Sequence, residues 1–93
     1  MNIQICGHRG FPEKYPQNTL PSFEAAIRIG CHRIEYDLHW TADRKIVVCH
    51  NASIDETSNG RGEIASMTFS ELRKYDFGGW KSERFAGTPI PAF

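Results

Sequence analysis

The sequence lacks the features that mark several large protein classes. Its 93 residues carry 11 basic and 11 acidic side chains, so the formal net charge is zero, and no run of Lys or Arg exceeds two residues. We therefore expect no binding to nucleic acid or to an anionic membrane surface, because both need a concentrated positive charge. No apolar stretch approaches the roughly 20 residues that cross a bilayer, so we expect no membrane span.

Cysteine is scarce, and its spacing is not that of a zinc or redox motif. Cys6, Cys31 and Cys49 form an odd set without a C-x-x-C pair. Such a set suits a reducing compartment better than a disulfide framework, and we expect each thiol to be a small buried apolar group. Residues 1–5 show no signal-peptide pattern, so we expect a cytoplasmic protein unless a longer parent chain carries a signal upstream.

What is present is an alternation of strand and helix signals. The short apolar run at residues 3–6 predicts a buried strand. Asn18 or Thr19 can then cap a helix that tolerates Pro21 in its first turn and ends near Gly30. The residues expected on the buried face of this helix are Phe23, Ala26 and Ile27. A strand, a helix and a second strand within about forty residues open a parallel α/β fold.

The second strand prediction covers residues 33–38, where apolar and polar side chains alternate strictly. This alternation places Glu35 and Asp37 on one face, with their Cα atoms about 6.6 Å apart. Both carboxylates can then converge on one ion, and oxygen ligands favour Mg²⁺ or Ca²⁺ over zinc. The alternative is an amphipathic edge strand whose acidic face is solvated.

The remaining signals predict one further strand and one further helix. Residues 46–49 are a β-branched apolar run that should pair with a nearby strand, and residues 51–66 have the composition of a loop. Thr68 and Glu71 then form a capping box that opens a helix. We expect this helix to stop near Gly78.

Chemistry-bearing side chains follow the ends of successive predicted strands. His8 and Arg9 come after the first strand, and His50 ends the apolar run near the middle of the chain. Ligands bind at the carboxyl ends of parallel strands, so these residues and the acidic pair should gather at one pocket. Two imidazoles, a guanidinium and a bound cation suit an anionic ester. Taken alone, each also fits a structural role, and His32 and His39 are expected to be surface or packing residues.

Six short motifs follow one another in a fixed order, namely "HRG", "P-x-N-T", "IEYDLHWTAD", "VVCHN", "NGRG" and "GTPIP". Together they resemble the opening third of the glycerophosphodiester phosphodiesterase family, in register from His8 to about Pro91. The resemblance implies a (β/α)8 TIM-type barrel with an inserted segment that caps the active-site face. Residues 1–93 would then be the N-terminal portion of a single barrel domain, with residues 51–89 as the insertion after the second strand.

The same resemblance implies a role for each candidate residue. His8 and His50 would be the catalytic acid/base pair, and Arg9 would bind the substrate phosphate. Glu35 and Asp37 would hold a Mg²⁺ or Ca²⁺ ion. The implied reaction splits a small-molecule glycerophosphodiester into an alcohol and glycerol 3-phosphate. Two alternatives stay open, a noncatalytic phosphate-binding or interaction module of the same fold and a related phospholipase D-like or phospholipase C-like barrel.

The chain departs from the family pattern at several positions. The family usually has Glu where this chain has Gln17, Gly where it has Arg44, and Asp where it has Asn51. We expect Gln17 to preserve the loop chemistry without a charge, and Asn51 to weaken the orientation of His50, since an amide cannot act as a carboxylate partner. A closed barrel needs about 250 residues, so the barrel is incomplete here and we expect a segment of a longer enzyme, inactive alone.

Overall fold

The computed structural model describes residues 6–93 and places two small sheets along the chain. One sheet is parallel and the other is antiparallel, and a helix connects the strands of the parallel one. These elements are β1 (Cys6–His8), α1 (Leu20–Arg28), β2 (Arg33–Glu35), β3 (Leu38–Trp40) and β4 (Ile46–Val48). The parallel β1–α1–β2 unit confirms an α/β fragment, while the closed barrel and the insertion at residues 51–89 stay predictions.

The first strand reaches further along the chain than its sequence pattern indicates. Of the predicted strand at residues 3–6, only Cys6 lies within the described residues, and β1 continues from it through Gly7 to His8. His8 is therefore part of the strand rather than the start of the following loop. Its position pairs with Glu35 of β2 in the parallel register.

The single strand predicted over residues 33–38 is wrong, because the structure divides it. β2 ends at Glu35 and β3 begins at Leu38. β2 pairs with β1, whereas β3 pairs with β4, so the chain leaves one sheet before it joins the other. Asp37 lies in this gap, where its carbonyl oxygen accepts a hydrogen bond from the Cys49 amide at 2.9 Å. The continuous strand from which the shared face of the two acidic residues was predicted is therefore absent from residues 33–38.

Helix α1 begins after Thr19 and ends before Gly30, as predicted. Gly30 has a φ of 88°, the left-handed conformation that often stops a helix. The Thr19 side chain makes no capping hydrogen bond to the helix, and its hydroxyl donates to the Pro16 carbonyl oxygen at 2.6 Å.

The buried face of α1 differs from the predicted one. Ile27 is 64% exposed, whereas the helix packs its small residues against β1. A Cβ atom added to Gly7 would lie only 3.1 Å from the Ala26 Cβ, so strand and helix approach too closely for large side chains. The buried residues of the helix are Ser22, Ala25 and Ala26.

The second helix starts where the capping signal predicts it. The Thr68 hydroxyl accepts a hydrogen bond from the Glu71 amide at 3.2 Å, and α2 spans Phe69–Leu72. Its predicted end near Gly78 is wrong, because the chain turns after Leu72 and buries Phe77 in the core. Short 3-10 turns at Ile64–Ser66 and Glu83–Phe85 complete this part. The core cluster consists of Val47, Cys49, Ile54, Ile64, Leu72, Phe77 and Ile90.

The three cysteines differ in burial. Cys49 is a buried member of the core, as expected, but Cys6 is exposed and Cys31 is only partly buried. The expectation for Cys6 is wrong because its side chain alternates with Gly7, which faces α1. Across residues 6–93, no helix combines the length and the apolar character needed to cross a membrane.

Candidate functional site

Arg9 directly follows β1, and its backbone is held on both sides. Its φ of 61° lies in the left-handed region, which costs a non-glycine residue roughly 1–2 kcal/mol. The Arg9 amide donates to the Glu35 carbonyl oxygen at 2.6 Å, and its own carbonyl oxygen accepts from the Asn18 amide at 3.0 Å. These hydrogen bonds offset the strain and hold the backbone from which the Arg9 side chain extends.

Ser22 of α1 stabilises the same turn through its hydroxyl group. Its Oγ donates to the Arg9 carbonyl oxygen at 3.1 Å and accepts from the Phe11 amide at 2.7 Å. Gly10 lies directly over this hydroxyl, and a Cβ atom at Gly10 would overlap it. Helix α1 therefore supports the loop that carries Arg9.

Asp37 is the centre of a polar network that joins three segments of the chain. Its Oδ2 accepts from Nδ2 of Asn18 and lies 3.2 Å from Nδ1 of His50. Nε of Arg9 lies 3.7 Å from the same oxygen, an ion-pair distance that is too long for a hydrogen bond. A terminal nitrogen of Arg9 lies 2.9 Å from Nε2 of His50, and the other donates to Oε1 of Gln17 at 3.2 Å.

The hydrogen bonds of His50 determine which ring nitrogen carries the proton. A guanidinium can only donate, so Nε2 of His50 accepts from Arg9 and Nδ1–H donates to Asp37. The His50 side chain is 40% exposed. The structure therefore orients the imidazole between Asp37 and Arg9 and leaves part of the ring open to a ligand.

The Asp37 carboxylate is stabilised in its ionised form. Burial alone would raise the pKa of Asp37, but hydrogen bonds from Asn18 and His50, together with the electrostatic influence of His50 and Arg9, lower it below the ordinary value. Asp37 therefore acts as an acceptor at neutral pH.

His8 and Glu35 lie beside each other on the other part of the candidate site. They are register partners on the exposed face of the parallel sheet, opposite the face on which Gly7 meets α1. The structure thus brings Arg9, Asp37 and His50 into direct contact and places the remaining two candidates as a neighbouring pair.

A hard divalent cation fits the chemistry of the two carboxylates. The Asp37 hydrogen bonds within residues 6–93 all use Oδ2, so Oδ1 is the oxygen that could bind a cation. Carboxylate oxygens suit Mg²⁺ and Ca²⁺. In that range no group of three or more His, Cys, Asp and Glu side chains is arranged to hold a metal, so these two residues offer a partial ligand set.

Sequence reasoning missed residues that hold His50 in place. Nε2 of His39, expected to be a surface or packing residue, lies 3.0 Å from the His50 carbonyl oxygen. Asn51, expected to affect the His50 ring, instead donates to Oε2 of Glu56 at 2.7 Å, and the carboxylate partner of His50 is Asp37. His39 lies two positions after Asp37, and this spacing was the sequence signal that could have placed His39 near the site. The strand break before Leu38 hid that relation.

Comparison with known proteins places the chain among phosphodiesterases. Residues 8–93 match the glycerophosphoryl diester phosphodiesterase family. The chain is 37% identical over 91 residues to a glycerophosphodiester phosphodiesterase of Caldanaerobacter subterraneus, covering 98% of this chain and 37% of that protein.

Solved structures agree with this match. The fold is similar to a glycerophosphodiester phosphodiesterase from Agrobacterium tumefaciens, with a TM-score of 0.96, 35% identity, and coverage of 99% of this chain and 40% of that one. It is also similar to an Oleispira antarctica phosphodiesterase in complex with the product sn-glycerol-3-phosphate, with a TM-score of 0.94, 31% identity, and coverage of 98% and 37%. The chain spans little more than a third of these relatives, and it belongs to the glycerophosphoryl diester phosphodiesterase family.

Proposed function

We propose that the complete protein hydrolyses glycerophosphodiesters to an alcohol and glycerol 3-phosphate. The observation that carries the proposal is the contact network of Arg9, Asp37 and His50 in a chain that matches the family over residues 8–93. A guanidinium, an oriented imidazole and a carboxylate within a few ångströms provide anion binding, proton transfer and charge stabilisation.

Arg9 is the proposed phosphate-binding residue. Its guanidinium offers a planar set of donors that matches two phosphate oxygens, and its side chain is only partly buried. In the ligand-free arrangement its terminal nitrogens contact neutral acceptors on Gln17 and His50. Asp37 is the ion-pair partner on the Nε side, at 3.7 Å, so an anionic substrate would bind at the terminal nitrogens, whose present acceptors carry no negative charge.

His50 and His8 are the proposed acid/base pair. The lone pair on Nε2 of His50 can take a proton, and the Asp37 carboxylate at Nδ1 would stabilise the imidazolium that forms. One histidine removes a proton from the attacking nucleophile, which is either water or the glycerol hydroxyl group, and the other gives a proton to the leaving oxygen. The exposed position of His8 beside Glu35 supports this assignment.

Glu35 and Asp37 are the proposed ligands of a Mg²⁺ or Ca²⁺ ion. When bound, such a cation supplies positive charge beside the phosphoryl oxygens. Arg9 then orients the ester from the other direction through its own donors. The carboxylate of Asp37 can contact both His50 and the ion, since Oδ2 is hydrogen-bonded to His50 and Oδ1 is available to the ion.

The test is a coupled assay of glycerol 3-phosphate release by the complete protein from glycerophosphodiesters with different alcohol groups. We expect product only when Mg²⁺ or Ca²⁺ is added after chelation. Glu35→Gln should abolish the cation response, while Glu24→Gln, at an exposed glutamate of α1, should leave it unchanged. Robust turnover after exhaustive chelation would remove the metal role. Phosphate binding without turnover on any ester would favour the noncatalytic module.

A further inference from the structure

We propose that Asn18 is a positioning residue, which fixes the Asp37 carboxylate and, through it, the proton on Nδ1 of His50. The inference rests on the proposed function for its catalytic consequence. Its structural content, the protonation pattern of the His50 ring, can be measured without any substrate.

Asn18 is the residue that joins the two sides of the network. Its backbone amide donates to the Arg9 carbonyl oxygen at 3.0 Å, and its side-chain Nδ2 donates to Oδ2 of Asp37 at 3.2 Å. The same Oδ2 faces Nδ1 of His50. One residue therefore connects the loop after β1, the gap between β2 and β3, and the end of β4.

The orientation of the Asn18 amide is fixed by chemistry. An ionised carboxylate only accepts hydrogen bonds, so the amide must present Nδ2 rather than Oδ1 to Asp37. Rotating the amide by half a turn would place two oxygens against each other. The Asn18 donor thus selects one rotamer of the carboxylate, with Oδ2 directed at the histidine.

Asn18 occupies this position at a cost to stability. Its φ is 56°, it is only 3% exposed, and its Oδ1 has no hydrogen-bond partner within residues 6–93. A buried acceptor without a hydrogen bond destabilises the folded state. Strained and unsatisfied residues are typical of functional sites, so the amide is better explained by its effect on Asp37 than by its contribution to folding.

Loss of the amide should loosen the carboxylate without releasing Arg9. Oδ2 of Asp37 would retain His50 and Arg9 as neighbours, and Nε of Arg9, now 3.7 Å away without a hydrogen bond, could compete for it. Nδ1 of His50 would then lose its acceptor for part of the time. Where Arg9 turns its donors toward Asp37, its terminal nitrogen also leaves Nε2 of His50. The tautomer with the proton on Nε2 would then become populated, and that tautomer cannot accept a proton there.

Asn18→Gly isolates the side chain, because glycine adopts a positive φ freely and keeps the backbone amide. In the complete protein at saturating Mg²⁺, we expect kcat to fall about 10–100-fold, as for other groups that orient a catalytic side chain, with KM within about twofold. Arg44→Gly is the matched control, since Arg44 also has a positive φ, at 66°, but lies in the β3–β4 turn. It should change neither constant.

The second measurement is the ¹⁵N spectrum of histidine rings, with His50 assigned by its replacement with Gln. We expect Nδ1–H with a bare Nε2 in the wild type, and a substantial Nε2–H population in Asn18→Gly. Should Asn18→Gly fail to fold, Asn18→Ala also removes the side-chain donor without adding a charge, and it should shift the tautomer in the same direction.

Each outcome decides one claim. An unchanged tautomer in the folded variants overturns the role of Asn18, and so does a rise in KM with kcat unchanged. A wild type that releases no glycerol 3-phosphate from any ester overturns the proposed function instead. In that case the tautomer shift alone supports or overturns the positioning by Asn18.

Discussion

Residues 6–40 and residues 41–93 differ in what they bury. In the first part the buried side chains are small or polar, such as Ala26 and Asn18, while Leu20 is 63% exposed. In the second part large aliphatic side chains are completely enclosed, with Leu72 at 0% exposure. The second part therefore holds the main apolar core of the described residues, and the first part holds most of the polar network.

His50 lies where these two parts meet. It follows β4, whose Val47 is buried in the core cluster, and Cys49, the residue before His50, belongs to the same cluster. The His50 ring nevertheless contacts Arg9 and Asp37 of the first part. A well-packed core thus positions the histidine, while the polar loop sets its hydrogen bonds.

The largest expected effect comes from His50→Ala, which should reduce kcat about 1000-fold, within the usual range for loss of an acid/base group. The free energy of unfolding should change little, because the side chain is substantially exposed. Steady-state kinetics of the complete protein and urea unfolding measure both quantities. Near-normal kcat would show that His50 has a structural role. It would also contradict the assignment of catalysis to the polar network rather than to the apolar core.

Leu72→Ala should show the opposite behaviour. Removing this fully buried side chain should lower the free energy of unfolding by about 3 kcal/mol, through lost burial and a cavity. At low temperature, where the variant remains folded, kcat should stay within about twofold of the wild type. Leu20→Ala is the companion variant. An equally large loss there would show that the apolar surface of residues 6–40 is covered in the complete protein.

Asp76→Asn tests a polar contribution to the second part. Oδ1 of Asp76 accepts from the amides of Gly78 and Gly79 at 2.8 and 3.0 Å, and these hydrogen bonds lower the pKa of the carboxyl group. A pKa that is lower in the folded state stabilises the fold above the ordinary value of about 4, and this stabilisation is lost as the pH falls through the lowered value.

We therefore expect Asp76→Asn to lower the free energy of unfolding by about 1 kcal/mol at pH 7. The difference between variant and wild type should be smaller at pH 3 than at pH 7, because the carboxyl group is protonated first in the unfolded state and then, at lower pH, in the folded state. Urea unfolding at the two pH values measures it. The same difference at both pH values would show that the charge of Asp76 contributes nothing.

The smallest expected effect is a gain from Arg44→Gly. Arg44 has a φ of 66° in the turn between β3 and β4, and glycine removes the steric cost while adding unfolded-state entropy. We expect a net gain of about 0.5 kcal/mol, measured as a higher urea midpoint. Lys45→Gly, at the neighbouring exposed position without a positive φ, should be neutral or destabilising.

Local features of the fold could be predicted because nearby residues determine them. The end of α1 at Gly30 depends on one backbone conformation, and the start of α2 depends on the hydrogen bond between Thr68 and Glu71. The end of α2 could not be found in this way. It depends on burial of Phe77 and on a hydrogen bond from the Asp76 amide to Oδ1 of Asn59, 17 residues earlier.

In the candidate site, too, the local features could be predicted from the sequence and the long-range contacts could not. The sequence named Arg9, Asp37 and His50 as neighbours because each follows a strand signal. Their pairing is long-range, since Arg9 and His50 are 41 positions apart, so no periodicity could show that the Asp37 carboxylate faces an imidazole. The break after β2 turns Asp37 toward that imidazole, and alternation alone predicts a continuous strand there.

The fit of Gly10 over the Ser22 hydroxyl has an evolutionary consequence. A Cβ atom at position 10 would overlap the backbone carbon and Cβ of Ser22 as well as its hydroxyl, and Gly10 has a φ of 92°. A smaller side chain at position 22 would therefore not make room for a larger residue at position 10. Among natural variants of this chain, position 10 should stay glycine whichever residue stands at position 22, although neither position is proposed to touch the substrate.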